Sequence, residues 1–259
     1  MLELSNVTIS YRERPVVKDF SLKLEAGQIC TLVGESGSGK TTVIRGVLGL
    51  LPSGGAVTGG EIRFQGQSLL RNTPAEWRAL RGSQISMIFQ DSGAMLNPTR
   101  KIGHGFVEYI RTHEACTKAA AWERGMQMLT RMGLADAQRI MNAYPFELAG
   151  GMRQRVGIAM AMTFQPKLLL ADEPTSALDV TTQAQIVRQM MQLRDEYGTS
   201  IVMVTHNLGV AAYMSDWIVV MKDGQIADAG DRAHILQGGS AYTDMLLDAV
   251  PTLGGTRYV

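Results

Sequence analysis

The sequence predicts an α/β fold with a parallel sheet, an antiparallel β piece and an inserted helical block. Short apolar runs that end in turn signals recur along the chain, and stretches with helical periodicity separate them. The first 30 residues alternate apolar and polar side chains instead, which is typical of strands with one solvated face. Between about residues 91 and 165 the strand signal disappears and helical periodicity replaces it. We therefore predict a single domain over residues 1–259, with a helical subdomain at about 91–165.

The predicted strands follow in order along the chain. The segments LELSNVTISY and GEIRFQG alternate and have glycine nearby, so they predict the antiparallel piece. Asp223-Gly224 lies between two further alternating runs and predicts a hairpin. The parallel strands are predicted in the apolar runs QICTLVG, ISMIFQ (85–90), KLLLAD (167–172) and SIVMVTH (200–206).

Composition places the chain among ordinary globular proteins. It has 259 residues, of which 45% are hydrophobic and 19% charged, with a formal net charge of +1. This near-neutral balance gives no broad basic surface, so we expect no nucleic acid partner. The N-terminus lacks the apolar segment of a signal peptide, and no apolar run reaches membrane-spanning length. We expect a chain that is soluble by itself.

The sulfur-containing residues indicate no metal cluster. The two cysteines, Cys30 and Cys116, form no CxxC pair, which suits a reducing compartment. The sixteen methionines, several of them in 152–162, have helical spacing that is more often core packing than metal binding. His113 and Cys116 in HEAC have the spacing of a metal-ligand pair, but without a second pair a solvated helix end is the simpler interpretation.

A glycine-rich loop carries the first chemical signal. GESGSGKT, at 34–41, satisfies G-x-x-x-x-G-K-[ST] between a predicted strand and a predicted helix. Backbone N–H groups of such a loop wrap phosphates, the lysine adds charge at the β/γ end, and the threonine offers a hydroxyl to Mg²⁺. The alternative is a glycine-rich turn that caps a helix. The predicted phosphate-binding residues are Gly34, Glu35, Ser36, Gly37, Ser38, Gly39, Lys40, Thr41 and Thr42.

Two carboxylates follow another buried strand. In LLLADEP, Asp172 ends the apolar run, where a P-loop NTPase places a metal-holding aspartate, and Glu173 comes next, where it can polarise a water molecule. An acidic strand end alone is a weak signal, since strand ends often carry solvated carboxylates. Together with the phosphate loop, the pair predicts hydrolysis of a nucleotide.

A second candidate phosphate site is LAGGM, at 148–152. Its glycine pair stands at the start of a predicted helix, where backbone N–H groups and the helix dipole favour an anion. Because the loop at 34–41 is already a phosphate site, the residues alone leave open whose phosphate LAGGM would bind.

The order of these motifs resembles that of the ATP-binding subunits of ABC transporters. The phosphate loop, ISMIFQD, LAGGMRQR, LLLADEP, SALD and VMVTH occur in that family's order, from Tyr11 to at least Gly230. The resemblance implies an α/β P-loop NTPase fold of the ABC type, with an antiparallel β subdomain and an inserted helical subdomain. It also implies ATP and Mg²⁺ as the cofactors.

The resemblance also implies a role for each matching residue. Tyr11 would stack on adenine, and Gln90 would contact Mg²⁺ and sense the membrane partner. With Thr41 and Gln90, Asp172 would hold the metal ion. The catalytic set would be Lys40, Gln90, Glu173 as base and His206 at the γ-phosphate. Each position also has a structural interpretation, namely an edge aromatic for Tyr11, a strand-end amide for Gln90 and a core histidine for His206.

In the same family the signature loop binds the ATP of the opposite subunit, so two chains face head to tail. Leu148, Ala149, Gly150, Gly151 and Met152 would contact the neighbour's nucleotide, and Asp179 would communicate across the dimer. The usual signature has serine where this chain has Ala149, which cannot donate a hydrogen bond to the phosphate. A weakened composite site follows, and a paralogue as the second ATPase subunit becomes more attractive than a homodimer.

Two stretches indicate the branch of the family. QDSGAMLNPTRKIG and YPFELAGGMRQR are similar to importers of oligopeptides, dipeptides and nickel or metal chelates. The resemblance implies integral-membrane permease subunits that contact residues 90–103, a solute-binding protein that acts indirectly, and a peripheral place on the cytoplasmic face of the inner membrane. The sequence ends at TLGGTRYV without the cysteine cluster of many peptide importers, so its outline is most similar to nickel-import ATPases.

Other ATPases of the superfamily, and GTP switches, fit less well. DNA-repair members separate the motif halves with long coiled coils, and translation factors usually fuse two such domains in one chain. A GTP switch would carry an NKxD pattern, which this sequence lacks. Transport is therefore the main prediction, and a non-transport ATPase in DNA repair or translation is the alternative.

Overall fold

The computed structural model describes residues 1–176 and 178–248, and the backbone of 252–253 and 256–257. Its strands are β1 (Leu2–Tyr11), β2 (Arg14–Leu24), β3 (Ile29–Val33), β4 (Gly55–Phe64), β5 (Gln67–Ser68), β6 (Ile85–Ile88), β7 (Leu168–Asp172), β8 (Ser200–Val204), β9 (Trp217–Lys222), β10 (Gln225–Gly230), β11 (Thr252–Leu253) and β12 (Thr256–Arg257). Its helices are α1 (Lys40–Val47), α2 (Pro74–Leu80), α3 (Ser92–Met95), α4 (Ile102–His113), α5 (Lys118–Arg131), α6 (Ala137–Asn142), α7 (Gly150–Met162), α8 (Val180–Tyr197), α9 (Leu208–Met214), α10 (Arg232–Leu236) and α11 (Ala241–Asp248), with a 3-10 turn at Pro145–Glu147.

The chain divides into two compact units, which are described separately. The first comprises Met1–Trp77 and Gly198–Val259, and the second is Arg78–Tyr197. The single domain expected over 1–259 remains a prediction.

The first unit contains both kinds of sheet that the sequence predicted. β1 pairs antiparallel with β2 and β4, and β5 extends this sheet beside β4. β3 pairs parallel with β8 and with β9, and its side chains are all buried because strands of this kind are covered on both faces. The predicted hairpin joins β9 to β10, and its Asp223 and Gly224 both have positive φ, as a tight two-residue turn requires.

The second unit contains one parallel strand pair and the helical block. β6 pairs parallel with β7, with Ile85 opposite Leu168. Between these two strands the described chain contains helices and turns only, from α3 to α7, as the sequence predicted for residues 91–165. α4, α5, α6 and α7 pack around apolar side chains such as Phe106 and Leu129, which are fully buried.

The two cysteines lie in different surroundings. Cys30 is fully buried in β3, and this burial raises the pKa of its thiol to about 12. Cys116 is half-buried in the link between α4 and α5. His113, which ends α4, packs edge-on against the rings of Tyr109 and Phe164. Among the described residues, no group of three or more His, Cys, Asp or Glu side chains is arranged to hold a metal ion.

No described helix combines the length and the apolar character that crossing a bilayer requires.

Candidate functional site

The phosphate loop of the first unit lies between β3 and α1, where the sequence predicted it. Gly34 and Gly39 have positive φ, and each is confined by neighbouring atoms. A Cβ on Gly34 would lie 2.2 Å from the backbone oxygen of Met221, and one on Gly39 would lie 3.2 Å from Val17 Cγ2. Glycine is therefore required at Gly34 by conformation and by space, and at Gly39 by its conformation, with φ 100°. Glu35, Ser36 and Gly37 are exposed at the crest of the loop.

Lys40 begins α1 with only 5% of its surface exposed. Its Nζ donates to the carbonyl oxygens of Gly34 and Glu35, each at 2.7 Å, and to Ser38 Oγ at 3.2 Å. The loop thus curves around the Lys40 ammonium group, which is hydrogen-bonded to three of its residues. Thr41 and Thr42 follow in the first turn of α1, half-buried, where the helix dipole favours an anion.

Tyr242, a residue of α11 that no sequence motif indicated, supports this loop. The Glu35 backbone N–H donates to the Tyr242 hydroxyl at 3.2 Å, and the Lys222 ammonium lies 4.8 Å from the centre of the Tyr242 ring. Tyr242 is 8% exposed and belongs to the core cluster that includes Val33, the last residue of β3. No local pattern in the sequence signals a contact between residues so far apart.

The two other predicted residues of this unit lie at strand ends. Tyr11 is the last residue of β1, opposite Gly55 in β4, and a Cβ on Gly55 would lie 2.7 Å from Tyr11 Cε1. The half-buried Tyr11 ring therefore packs against Gly55, where a side chain would collide with the ring. His206 follows β8 and is exposed, immediately before Asn207, whose side chain accepts from Val210 N and caps α9.

In the second unit the structure brings Gln90 and Glu173 together. Asp172 ends β7 and is 4% exposed. Glu173 has a φ of 44°, in the left-handed region that a residue with a side chain adopts at a cost in free energy. Gln90 follows β6 and donates from Nε2 to Glu173 Oε2 at 3.3 Å. The residue predicted to contact Mg²⁺ and the predicted base are thus hydrogen-bonded to each other.

The signature segment has the predicted helix start. Ala149 is the N-cap of α7 and provides no side-chain hydrogen bond. Leu148 is buried, whereas Ala149 and Gly150 are exposed and Met152 is half-buried. A Cβ on Gly150 would meet nothing within 4 Å. The first backbone N–H groups of α7 lack intrahelical acceptors, as at every helix start, so they can bind an anion.

Asp179 contacts the signature region through one intermediate residue, which the sequence did not indicate. Its carboxylate accepts from Thr182 N at 2.9 Å and from Thr182 Oγ1 at 2.7 Å, at the start of α8. These hydrogen bonds, first the one from the Thr182 side chain, lower the pKa of Asp179. A Cβ on Gly151 would lie 2.9 Å from Thr182 Cγ2. Ala177, within the SALD segment, lies outside the described residues.

The donor chemistry of the predicted metal ligands fits Mg²⁺. Thr41, Gln90 and Asp172 offer a hydroxyl, an amide oxygen and a carboxylate, all hard oxygen donors of the kind that Mg²⁺ prefers. Asp172 is a carboxylate buried at the end of an apolar strand.

Comparisons with known proteins identify the family of the chain. A family model described as ABC transporter matches residues 17–176. The oligopeptide transport ATP-binding protein OppD of Salmonella typhimurium is 41% identical over 98% of this chain and 77% of its own length. The dipeptide transport ATP-binding protein DppD of Lactococcus lactis is 39% identical over 98% of this chain and 74% of its own length.

A solved structure has the same fold. The ATP-binding cassette MJ0796, in a dimeric post-hydrolysis state bound to ADP and Pi, superposes with a TM-score of 0.80. Its sequence is 28% identical, and the match covers 90% of this chain and 99% of that one. Similarity of this extent in sequence and fold shows that the chain belongs to the ABC transporter family, among its ATP-binding proteins.

Proposed function

We propose that this chain powers the import of oligopeptides or dipeptides through a membrane permease. As a member of its family the chain is an ATPase, and hydrolysis of ATP supplies the free energy for transport. The observation that carries the proposal is the 41% identity to an oligopeptide transport ATP-binding protein over 98% of the chain. The alternative in DNA repair or translation gains no support, because the relatives described above are transport proteins.

Each residue of the site has a role in this proposal. Lys40 and the N–H groups of the phosphate loop would bind the β- and γ-phosphates of the chain's own ATP, and Tyr11 would stack on its adenine. Glu173 would take a proton from the attacking water, and His206 would orient that water at the γ-phosphate. Gln90, bonded to Glu173, would hold this carboxylate in place until the nucleotide and its metal ion arrive.

Mg²⁺ would be held by Thr41, Gln90 and Asp172. When bound, it would neutralise the charge that develops on the phosphate oxygens during phosphoryl transfer. The chain's own contribution is to position the phosphates, the water and the base, since such reactions depend mainly on positioning and charge stabilisation.

We further propose that the chain works in a head-to-tail pair whose second member is a paralogue. In that pair Leu148–Met152 would bind the γ-phosphate of the partner's ATP through the N–H groups at the start of α7. The missing hydroxyl at Ala149 supports the paralogue, because a partner with a serine signature would complete one regular site.

The permease would bind beside the segment from Gln90 to Gly103, at the cytoplasmic face of the inner membrane. In this segment Met95 is 62% exposed, and Arg100 lies at the edge of a cavity of about 730 Å³ along α4 and α5. This cavity supports a protein contact here, because it combines an aromatic side chain with charged ones. It is lined by Arg100, His104, Val107, Glu108, Arg111, Thr112, Lys118 and Trp122.

Nickel as the transported solute remains a prediction that rests on the outline of the sequence. The relatives described above are named as oligopeptide and dipeptide transport proteins, so peptides are the substrate class that the comparisons favour. The transported solute would contact the permease and a solute-binding protein and would not contact this chain.

The experiment replaces the proposed base. Glu173→Gln should lower ATP turnover by about 100-fold or more, the usual effect of losing a general base, while ATP binding persists and an ATP-bound dimer accumulates. Glu196→Gln, an exposed glutamate paired with Arg131, is the matched control and should leave turnover unchanged. Cells that lack the chain should lose uptake of labelled peptide, and the wild-type chain should restore it whereas Glu173→Gln should not. Normal peptide uptake without the chain would overturn the proposed substrate class.

A further inference from the structure

Gln154 is a buried amide on the signature helix that the functional assignments above do not use. It lies in α7 with 6% of its surface exposed, and its Nε2 donates to the Pro174 carbonyl oxygen at 2.7 Å. Both partners of this hydrogen bond are buried. Pro174 is the residue directly after Glu173, so the signature helix is bonded to the peptide chain beside the proposed base.

The loop that carries the base is held at consecutive carbonyl groups. The Glu173 carbonyl accepts from Ser176 N at 3.1 Å and from Ser176 Oγ at 3.0 Å. The Thr175 carbonyl accepts from Gln183 Nε2, in α8, at 2.9 Å. Gln154 holds the carbonyl between them. A loop fixed in this way can maintain a backbone conformation that a glutamate would not adopt by itself.

That conformation determines where the base points. Glu173 has a φ of 44°, and residues in this region persist only where the surrounding structure holds them. Its carboxylate lies 3.3 Å from Gln90 Nε2, so its direction is specific. Loss of the donor at Gln154 would leave the buried Pro174 carbonyl unsatisfied, and the loop would relax towards another partner.

We propose that Gln154 is a positioning residue for Glu173. It would act through the backbone beside the base, and its hydrogen bond ties that backbone to the helix whose first turn is proposed to bind the neighbour's ATP. This inference rests on the proposed function of Glu173 as base. It also gives the chain a physical link by which the signature helix of one site can affect the base of the other.

The test uses Gln154→Met, which keeps the length of the side chain and removes the donor. Because a displacement of about 1 Å can slow an enzyme by about 100-fold, we expect kcat to fall at least about tenfold while KM for ATP changes less than about twofold. The matched control is Gln189→Met. Gln189 Nε2 donates to the Met132 carbonyl at 2.8 Å in the same unit, so its loss should lower thermal stability and leave kcat unchanged.

A second measurement asks whether Gln154 acts through Glu173. In a Glu173→Gln background, Gln154→Met should slow the residual turnover no further, because no base is left to position. Amide hydrogen exchange at Ser176, which requires no turnover, should be faster in Gln154→Met than in Gln189→Met. An unchanged kcat, an equal loss in Gln189→Met, or a further full loss in the Glu173→Gln background would each overturn the proposal. Turnover in the wild-type chain that does not depend on Glu173 would instead count against the proposed function.

Discussion

Position 149 is where this chain departs from the signature of its family, and the structure gives that departure two consequences. Ala149 occupies the N-cap of α7 with extended backbone angles, φ −63° and ψ 156°, and makes no capping hydrogen bond. A serine there would accept from an N–H of the first helical turn, and when ATP is bound it would donate to phosphate. With alanine at this position, α7 lacks a side-chain cap and the proposed composite site lacks one hydrogen-bond donor.

We predict that Ala149→Ser increases both stability and ATP turnover. The cap should raise the free energy of unfolding by about 1 kcal/mol, and the restored phosphate contact should be worth about 1.5 to 3 kcal/mol. Thermal denaturation and steady-state ATPase assays measure the two effects.

A second variant separates the two effects of that change. Ala149→Asp also provides a good cap and should stabilise the helix, but its negative charge would repel the γ-phosphate and lower turnover. Equal turnover in Ala149→Ser and Ala149→Asp would contradict a phosphate contact at this position.

At the scale of single residues, the sequence predicted the residues whose roles follow from a motif. It did not predict the residues that support those motifs through contacts in the fold. Lys40 and Glu173 lie at the strand and helix ends where their motifs placed them. Tyr242 and Gln154 contact those same motifs, but each contact depends on how distant segments pack. Such residues have no fixed spacing from the motif that they support, so only the structure shows them.

Helix α7 is the element that joins several parts of the second unit. Its N-terminus carries the signature, Gln154 reaches the loop after Glu173, and Gly157 lies against α3, the helix that follows Gln90. A Cβ on Gly157 would lie 2.5 Å from Ser92 Cβ, which is closer than two non-bonded carbon atoms can approach. The glycine is therefore needed for the two helices to pack closely.

We predict that Gly157→Ala destabilises the chain although alanine is the better helix former. The overpacking should cost about 1 to 3 kcal/mol. Gly105→Ala in α4 is the control, since its Cβ would meet only Met160 Cε at 3.9 Å, and it should be neutral or stabilise by up to about 1 kcal/mol. Urea denaturation of both variants measures the difference. A stabilised Gly157→Ala variant would show that α3 does not constrain α7.

Strand β10 is hydrogen-bonded through the Asp228 carboxylate to the region of the two short helices that follow it, α10 and α11. Asp228 accepts from Ser240 N at 2.9 Å, from Thr243 Oγ1 at 2.7 Å and from His234 Nε2 at 3.0 Å. Burial alone would raise the pKa of Asp228, but these hydrogen bonds outweigh it, and the pKa lies below its ordinary value of 3.8. The charged carboxylate therefore stabilises the folded state.

We predict that Asp228→Asn lowers stability at neutral pH by about 1.5 to 3 kcal/mol, because an amide cannot accept all of these hydrogen bonds. A lowered pKa contributes stability that is present above the unfolded value and is lost as pH falls through the folded value. The difference between wild type and variant should thus shrink as the pH drops below 3.8. Denaturation at a series of pH values measures it, and a difference that grows in acid would contradict this assignment.

At the scale of elements the sequence predicted most of the fold, because period-two and helical patterns are local. The Asp223-Gly224 hairpin and the helical block between β6 and β7 agree with their patterns. The pairing of β3 with both β8 and β9 involves residues far apart in the chain, which alternation alone does not determine.

For the whole molecule, the proposed pairing with a paralogue has a consequence that a homodimer would not have. The site formed by this chain's phosphate loop and a serine signature from the partner would be regular. The other site would contain Ala149 and hydrolyse ATP more slowly. The two phosphate loops of the pair would therefore contribute unequally to turnover.

We predict that Lys40→Ala removes most of the ATPase activity of the mixed pair, whereas the equivalent lysine substitution in the partner removes much less. Steady-state assays of the reconstituted pair, with each substitution in turn, measure the asymmetry. Equal losses, together with full concentration-dependent activity of this chain alone, would indicate a symmetric homodimer.

The different surroundings of the two cysteines make the natural sequence suitable for spectroscopy. A thiol reacts as its thiolate, and Cys30 is both inaccessible and held at a pKa of about 12. Cys116 is the other cysteine of the chain; it lies between α4 and α5, and its carbonyl oxygen accepts from Nε of Arg111, which lines the cavity proposed to face the permease. A maleimide dye or nitroxide should therefore attach at this one place without any engineered substitution, and report from the wild-type protein when nucleotide or permease is added.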